Sequence, residues 1–237
     1  MTNKQIEVIQ KKYGFSRLLG TQFKIDKSNK SGSGYYTLIM HLAAHKSSGK
    51  NVCPMATKGC SAGCLMTAGH GVYQHVQNKR INRTKFFFSE RKAFIDLLIH
   101  ELSVAHRRAA KRGDKLAIRL NGTSDIAWER IAPKIFTMFP DVQFYDYTKV
   151  PSRMEGVPKN YKLIFSRSEN NEETTLNILR KGHNVAVVFK NYLPERWKRF
   201  KVIDGDETDE RFLDKHGVVV GLKAKGRAKR DVSGFVI

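Results

Sequence analysis

The sequence predicts an α/β protein, specifically a complete or partial (β/α) barrel with mostly parallel strands, from three observations. Apolar residues make up 41% of the 237-residue chain, which is enough to build a folded core. Several apolar runs are short, continuous and rich in Val, which is typical of parallel strands buried on both faces. Helical segments separate several of these runs, and an alternating order of strands and helices indicates a parallel sheet. A doubly wound open sheet is the alternative.

The predicted strands begin with the run YYTLIMHLAA, whose apolar residues suit a buried strand. Later runs such as NVAVVF and GVVVGLKAKG show the same character. In chain order the predicted strands cover 35–44, 115–122, 142–149, 161–168, 184–189, 201–206 and 217–226.

Three helices are predicted between these strands. The segment 88–113 places Phe94, Leu98 and Leu102 at helical spacing and ends in basic residues and a glycine. The segment 124–139 begins with the capping residues Ser and Asp, and Pro133 should kink or divide it. The segment 170–182 has acidic residues early and basic residues late, as the helix dipole favours.

Residues 1–34 are polar and basic and end in the Gly- and Ser-rich stretch SNKSGSG. The sequence therefore predicts a basic N-terminal segment over 1–34 and a single α/β domain over 35–237. Neither a membrane span nor a secretory signal is visible, which predicts a cytoplasmic protein without a membrane partner.

The charge balance is strongly basic, with 43 Lys and Arg against 22 Asp and Glu and a net charge of +21. Such a field attracts polyanions, so nucleic acid is a candidate partner. A phosphorylated small molecule or an acidic protein would also be attracted. The basic residues concentrate in two places. One is the C-terminal stretch 223–230, and the other is Arg80, Arg83 and Lys85.

All three cysteines, Cys53, Cys60 and Cys64, lie in one Gly-rich loop directly after the first predicted strand. An odd number of cysteines in a reducing compartment favours metal binding over disulfides. Their spacing, C-x6-C-x3-C, does not match structural zinc loops, and it predicts a [4Fe–4S] cluster with one iron left open. Zinc with His70 or His75 as a fourth ligand is the alternative.

Two resemblances follow from these motifs. A cysteine loop after the first strand of a (β/α) barrel resembles radical S-adenosylmethionine (SAM) enzymes, although their usual spacing is C-x3-C-x2-C. The ordered motifs NVCPMATKGCSAGCL, RLNGTSDIAWE, VQFYDYTK, NYKLIFSRSENN, VIDGDETDERF and GLKAKGRAKRDVSGFV are similar to those of a tailed-phage family called gene product eighty-eight. This second resemblance implies a phage origin and expression in the cytoplasm of a bacterial host, and it implies no particular reaction.

Polar side chains follow several predicted strands, where they would face one mouth of a barrel. The candidate cofactor-binding residues, suited to the amino and carboxylate groups of SAM, are Asn121, Thr123, Ser124, Ser166 and Arg167. The candidate catalytic residues are Asp125, Asp146, Lys149 and Asp204. Simple helix capping is the alternative role for Ser124 and Asp125.

The leading functional hypothesis is a radical-SAM-like phage enzyme in which the open iron of a [4Fe–4S] cluster binds SAM or substrate. One alternative is a non-catalytic iron–sulfur protein that binds nucleic acid or a host protein. A zinc-binding protein or a magnesium-dependent nuclease is another, because Asp and Glu side chains can hold Mg²⁺.

Overall fold

The computed structural model describes all residues from Met1 to Ile237. It contains one nine-stranded sheet with the order β1-β2-β3-β4-β5-β6-β9-β8-β7. The strands are β1 (Leu19–Gly20), β2 (Tyr35–Met40), β3 (Lys115–Arg119), β4 (Gln143–Thr148), β5 (Tyr161–Ser166), β6 (Val185–Phe189), β7 (Arg196–Trp197), β8 (Phe200–Asp204) and β9 (Val219–Lys223).

Eight α-helices and several short 3-10 helices connect the strands. The α-helices are α1 (Asn3–Tyr13), α2 (Phe23–Ser28), α3 (Lys58–Ala62), α4 (Gln74–Ser89), α5 (Arg91–Lys111), α6 (Trp128–Ile131), α7 (Lys134–Met138) and α8 (Glu172–Arg180). No helix is both long enough and apolar enough to cross a membrane.

The sheet is mostly parallel, as predicted. The strands β2 to β6 lie side by side in chain order, and β9 and then β8 continue the parallel arrangement. Only β1 and β7 are antiparallel to their neighbours. These two-residue strands form the two ends of the sheet and do not pair with each other. The sheet is therefore open, and the predicted complete barrel is not formed.

The two faces of the sheet differ in character, because side chains alternate along each strand. One face carries Ile118, Phe144 and Phe165 and belongs to a cluster of 38 buried apolar residues that also includes the buried faces of α4 and α5. The opposite face has a small apolar cluster of Ile164, Ala186 and Val220. That face also carries buried polar side chains such as Thr37 and Arg119, and the larger part of the core lies on the helical side.

The N-terminal segment folds onto the same core. The side chains of Phe15 and Leu18 belong to the large apolar cluster, and β1 extends the sheet. The Glu101 carboxylate on α5 accepts hydrogen bonds from the backbone N–H groups of Leu18 and Leu19, at 2.8 Å to the nearer oxygen in each case. Residues 1–34 are thus basic and polar in composition but tied to the sheet and to α5.

The predicted helices are present with shorter bounds. The segment 88–113 corresponds to α5, and Glu90 interrupts the helical backbone between α4 and α5. Pro133 divides the segment 124–139 into α6 and α7, because proline cannot donate the backbone hydrogen bond that would continue a helix. The segment 170–182 contains α8.

Candidate functional site

The cysteine loop crosses the edge of the sheet at which the parallel strands end. The backbone N–H of Cys53 donates to the Asn51 side chain at 2.9 Å, and the Cys53 Sγ lies 3.7 Å from the carbonyl oxygen of Thr123. The Thr57 hydroxyl caps α3 by accepting from the N–H of Cys60 at 3.2 Å. The loop is therefore positioned by its own turn and by the residues that follow β3.

Glu169, which follows β5, fastens the loop from the other side. Its carboxylate accepts hydrogen bonds from the Thr57 hydroxyl and from the N–H of Gly59, both at 2.8 Å. A Cβ atom at Gly59 would lie only 2.5 Å from the Cβ of Phe235 and closer still to the Ser233 hydroxyl. A glycine is thus required at position 59, because Ser233 and Phe235 of the C-terminal tail pack directly on the loop backbone.

The three thiols are free and lie near one another. Burial, opposed by a hydrogen bond with the His45 backbone and helped by the charges of Asp125, Cys64 and Cys60, raises the pKa of Cys53 to about 12. Burial also raises the pKa of Cys64, and the cations Arg80 and Lys149 oppose that rise. The thiols of Cys53 and Cys64 are therefore neutral in the protein alone, and binding of a metal would have to remove their protons.

Two partly buried guanidinium groups on α4, Arg80 and Arg83, lie in the same region. Burial lowers the pKa of Arg80, and the charge of Cys64 opposes the change. Burial lowers the pKa of Arg83 to about 10. The Nη1 of Arg80 and the Nε of Arg83 are buried and have no hydrogen-bond partner. A buried cation without an acceptor is costly, so an anionic group beside the thiols would stabilise Arg80.

His41 follows β2 and contributes to the same positive region. Burial lowers its pKa well below the usual range, and the nearby Arg80, Arg119 and Arg83 lower it further. A Cβ atom at Gly122 would lie 2.7 Å from the His41 ring, so this ring packs against the backbone that follows β3. His41 is therefore neutral, and its ring lies against Gly122.

The predicted cofactor-binding residues after β3 form a closed hydrogen-bond network. The Asn121 side-chain oxygen accepts from the Ser124 hydroxyl at 2.7 Å, from the N–H of Ile126 at 3.0 Å and from the Trp128 indole at 3.2 Å. The Thr123 hydroxyl donates to the carbonyl of Leu42. These groups shape the turn between β3 and α6, and their hydrogen-bonding capacity is largely used within the chain.

The predicted residues after β5 differ from each other. Arg167 donates to the backbone carbonyls of Gly234 and Phe235, so its guanidinium holds the C-terminal tail in place. The hydroxyl of Ser166 makes no hydrogen bond within the chain, whereas its backbone carbonyl accepts from Asn171. Among the five candidate cofactor-binding residues, Ser166 thus retains a free polar group at the carboxyl edge.

Two of the predicted catalytic carboxylates, Asp125 and Asp146, are hydrogen-bonded within the chain. Asp125 accepts from the N–H of Lys149 at 2.8 Å and from Arg153 at 2.6 Å. Asp146 is fully buried and accepts from the N–H of Asn121 at 2.6 Å and from the Tyr161 hydroxyl at 2.8 Å. Burial raises the pKa of Asp146 to about 7, yet its oxygens contact only residues of the chain.

Lys149 and Asp204 are the remaining catalytic candidates. The Lys149 ammonium lies 5.6 Å from the centre of the Phe235 ring and makes no ion pair, and its charge lowers the pKa of Cys64. The Asp204 carboxylate accepts from the N–H of Asp206 at 2.7 Å in an exposed turn. The structure therefore brings Lys149 to the cysteine loop, whereas no contact joins Asp204 to it.

The sequence predicts one of two metal centres at these cysteines, a [4Fe–4S] cluster or a zinc ion. No group of three or more His, Cys, Asp or Glu side chains is assembled at distances that suit a single ion. The ligands of a zinc ion converge on one atom, whereas each thiolate of a [4Fe–4S] cluster binds a different iron and can stand farther from the others. The structure therefore shows no assembled set of ligands for a single ion, and the iron–sulfur cluster stays a prediction.

Sequence reasoning missed the role of Glu169 and underestimated the role of Arg80. An acidic residue directly after a strand, in the motif SRSEN, was the available signal for Glu169. For Arg80 the signal was its place in a basic cluster soon after the cysteines. Neither signal identifies the contacts of the residue, because those contacts depend on how distant segments of the chain meet at the edge of the sheet.

Comparison with known proteins identifies one relationship. A family model described as Gene product 88 matches residues 15–237, which is nearly the whole chain and includes the cysteine loop and every parallel strand. No curated protein and no solved structure matches the chain. The chain therefore belongs to the Gene product 88 family.

Proposed function

We infer that this chain is an iron–sulfur protein in which Cys53, Cys60 and Cys64 bind a [4Fe–4S] cluster. The observation that carries the proposal is the presence of three free thiols near the partly buried Arg80 guanidinium, whose buried Nη1 has no acceptor. Thiolates and the cluster they bind bring negative charge to this cation. The unpaired guanidinium is then explained as part of the binding site.

The strand order supports a radical-SAM-like arrangement as the finer form of the proposal. The strands β2 to β6 follow one another as in a segment of a (β/α) barrel, and the cysteine loop follows the first of them. Active sites in such folds gather at the carboxyl ends of the strands. With three thiolates on four irons, one iron stays open for SAM or substrate.

Two side chains are suited to contact that ligand. The Lys149 ammonium is unpaired and close enough to Cys64 to affect its pKa, and it can bind a carboxylate. The Ser166 hydroxyl, free at the carboxyl end of β5, can hydrogen-bond a polar group. The carboxylates that a magnesium nuclease would need are less suitable, because Asp125 and Asp146 are committed to contacts within the chain.

The test is anaerobic purification or reconstitution of the full chain, with iron and sulfide analysis and electron paramagnetic resonance of the reduced protein. We expect about four irons per chain and a spectrum that changes when SAM is added. Replacing Cys53, Cys60 or Cys64 with Ala should each reduce the bound iron severalfold. The matched control is Ser61→Ala, which changes the same loop without removing a thiol.

Each result has a defined meaning. Iron content that stays unchanged in all three cysteine variants would overturn the cluster assignment. Stoichiometric zinc without iron would replace the cluster with a single-ion site. Iron that depends on the cysteines together with a spectrum insensitive to SAM would retain the iron–sulfur protein and remove its radical-SAM-like form.

A further inference from the structure

A basic ridge lies at the carboxyl edge of the sheet, beside the cysteine loop. Lys223 ends β9, and Lys190 directly follows β6. The ridge consists of the exposed residues Lys190, Lys223, Lys225, Arg227, Lys229 and Arg230. Its members come from distant parts of the chain, so folding assembles them on one surface.

The charge of the ridge is mostly uncompensated. Lys225 is its only member in an ion pair, at 2.5 Å from Asp206. Four of the lysines, together with Asn191, Asp206 and Ala224, line an open groove of about 600 Å³. Four lysines gathered around a single carboxylate repel one another, and phosphate groups would relieve that repulsion.

The ridge and the cysteine loop form a continuous surface. The N–H of Arg227 donates to the Thr67 hydroxyl at 3.2 Å, just beyond Cys64. A Cβ atom at Gly63 would lie 3.1 Å from the Cβ of Ala228. A long anion that follows the ridge would therefore pass beside the loop.

An aromatic side chain stands next to the groove. Tyr192 is 74% exposed and lies two residues after Lys190 and next to Asn191, which both line the groove. Proteins that bind single-stranded nucleic acid combine a positive groove for the phosphates with exposed aromatic rings on which unpaired bases stack. In a duplex the bases are paired and stacked on one another, so none is available to stack on the Tyr192 ring.

We propose that the basic ridge and Tyr192 bind single-stranded nucleic acid, with phosphates along the lysines and a base stacked on the Tyr192 ring. This binding is independent of any metal centre. If the bound nucleic acid is also a substrate or partner of the iron–sulfur site, that role rests on the function proposed above. The shared chemistry is the phosphodiester backbone, which DNA and RNA both supply.

The experiment measures the affinity of the full chain for a fluorescent single-stranded DNA, an RNA of the same sequence and the matching duplex, at several salt concentrations. The ridge variant combines Lys190→Ala, Lys223→Ala and Lys229→Ala, whose ammonium groups make no ion pair. The control combines Lys111→Ala, Lys115→Ala and Lys159→Ala, exposed lysines at the opposite edge of the sheet. Both variants remove three charges from the net +21.

We expect the ridge variant to lose at least about tenfold in affinity for a single strand, with a salt slope smaller by roughly 2, since each phosphate contact contributes about 0.7. The control variant should stay within about twofold. Tyr192→Ala should weaken single-strand binding by about tenfold and leave duplex binding unchanged. The DNA and RNA arms identify which strand the ridge prefers.

Equal losses in the ridge and control variants would overturn the proposal, because the field of the whole protein would then explain binding. A duplex bound as tightly as the single strand would also overturn it. Each measurement is made with and without bound iron. Absent iron with ridge-dependent binding removes the iron–sulfur function alone, whereas normal iron without strand binding removes this proposal alone.

Discussion

Glu169 shows how one residue can define the geometry of a loop that carries the candidate site. Its two oxygens receive hydrogen bonds from Thr57 and Gly59, which precede Cys60 on the loop. Hydrogen bonds to a charged group are stronger than neutral ones, so the carboxylate should hold the loop against the end of β5. Glu169 is therefore a positioning residue.

Replacing Glu169 with Ala should loosen the cysteine loop, because two charge-assisted hydrogen bonds are lost together. Lys58 is exposed between these two contacts, so trypsin should cleave after Lys58 several times faster in the variant. Iron retained after desalting should fall severalfold. The control is Glu173→Ala, which removes an exposed carboxylate from α8. Wild-type rates of cleavage and iron loss would contradict this role.

At the scale of residues, the sequence predicts chemistry better than contacts. The cysteine cluster and the polar residues at strand ends are visible in the sequence, and the structure places most of them at one edge of the sheet. Asp125 and Asp146 were expected as catalytic groups because carboxylates follow strands there. Their partners Arg153 and Tyr161 are 28 and 15 positions away, and sequence spacing does not reveal such pairings.

At the scale of elements, a short 3-10 helix at Pro151–Arg153 joins the segments that follow β3 and β4. The Arg153 guanidinium contacts Glu129 at 2.8 and 3.0 Å and Asp125 at 2.6 Å. Arg153 is only 2% exposed. It therefore neutralises two carboxylates at the carboxyl edge, and those carboxylates hold the turns around it.

Replacing Arg153 with Ala should lower the free energy of unfolding by about 3–5 kcal/mol, because both carboxylates lose a buried partner. Urea denaturation followed by circular dichroism measures the change. Arg130→Ala, an exposed change on the neighbouring α6, should stay within about 0.5 kcal/mol of the wild type. If the free energy of unfolding of the Arg153 variant fell by less than about 1 kcal/mol, the turns around Arg153 would be stable without this cation.

Element prediction succeeded where local signals are strong. Short, largely apolar runs predict strands, and these runs became the parallel strands β2 to β6, β8 and β9. The edge strands β1 and β7 were missed, because a strand of two residues carries no periodicity. Their pairing depends on the rest of the sheet. Whether the sheet stays open or closes into a barrel depends on the same long-range contacts.

At the scale of the whole molecule, a buried ionic cluster lies on the face of the sheet opposite the large apolar core. Asp209, only 3% exposed, accepts from Arg119 on β3 at 3.3 Å and from the Tyr145 hydroxyl on β4 at 2.9 Å. The Lys24 ammonium on α2 lies 3.6 Å from the same carboxylate. The cluster ties the N-terminal segment, two central strands and the segment after β8 into one unit, and no local sequence pattern predicts contacts over such separations.

This cluster should make stability depend on Asp209 in a pH-dependent way. Burial alone would raise the pKa of Asp209, but Arg119 and Lys24 outweigh it and hold the pKa below the ordinary 3.8. The folded protein therefore binds fewer protons at this site than the unfolded chain. The stabilisation is present above about pH 4 and is lost as the pH falls through the folded-state pKa.

Asp209→Asn should consequently reduce the free energy of unfolding most at pH 7, by about 2 kcal/mol or more, since Arg119 and Lys24 lose their buried counter-charge. The difference from the wild type should shrink as the pH falls below 4, because the unfolded wild-type chain then binds a proton at Asp209 that the folded protein does not bind. Urea denaturation at pH 7, 5, 4 and 3.5 measures both values. The control Asp141→Asn, at an exposed position, should show no such trend. A difference that stays constant across this range would show that Asp209 acts through shape and hydrogen bonding, and that its charge does not hold the open sheet to the N-terminal segment.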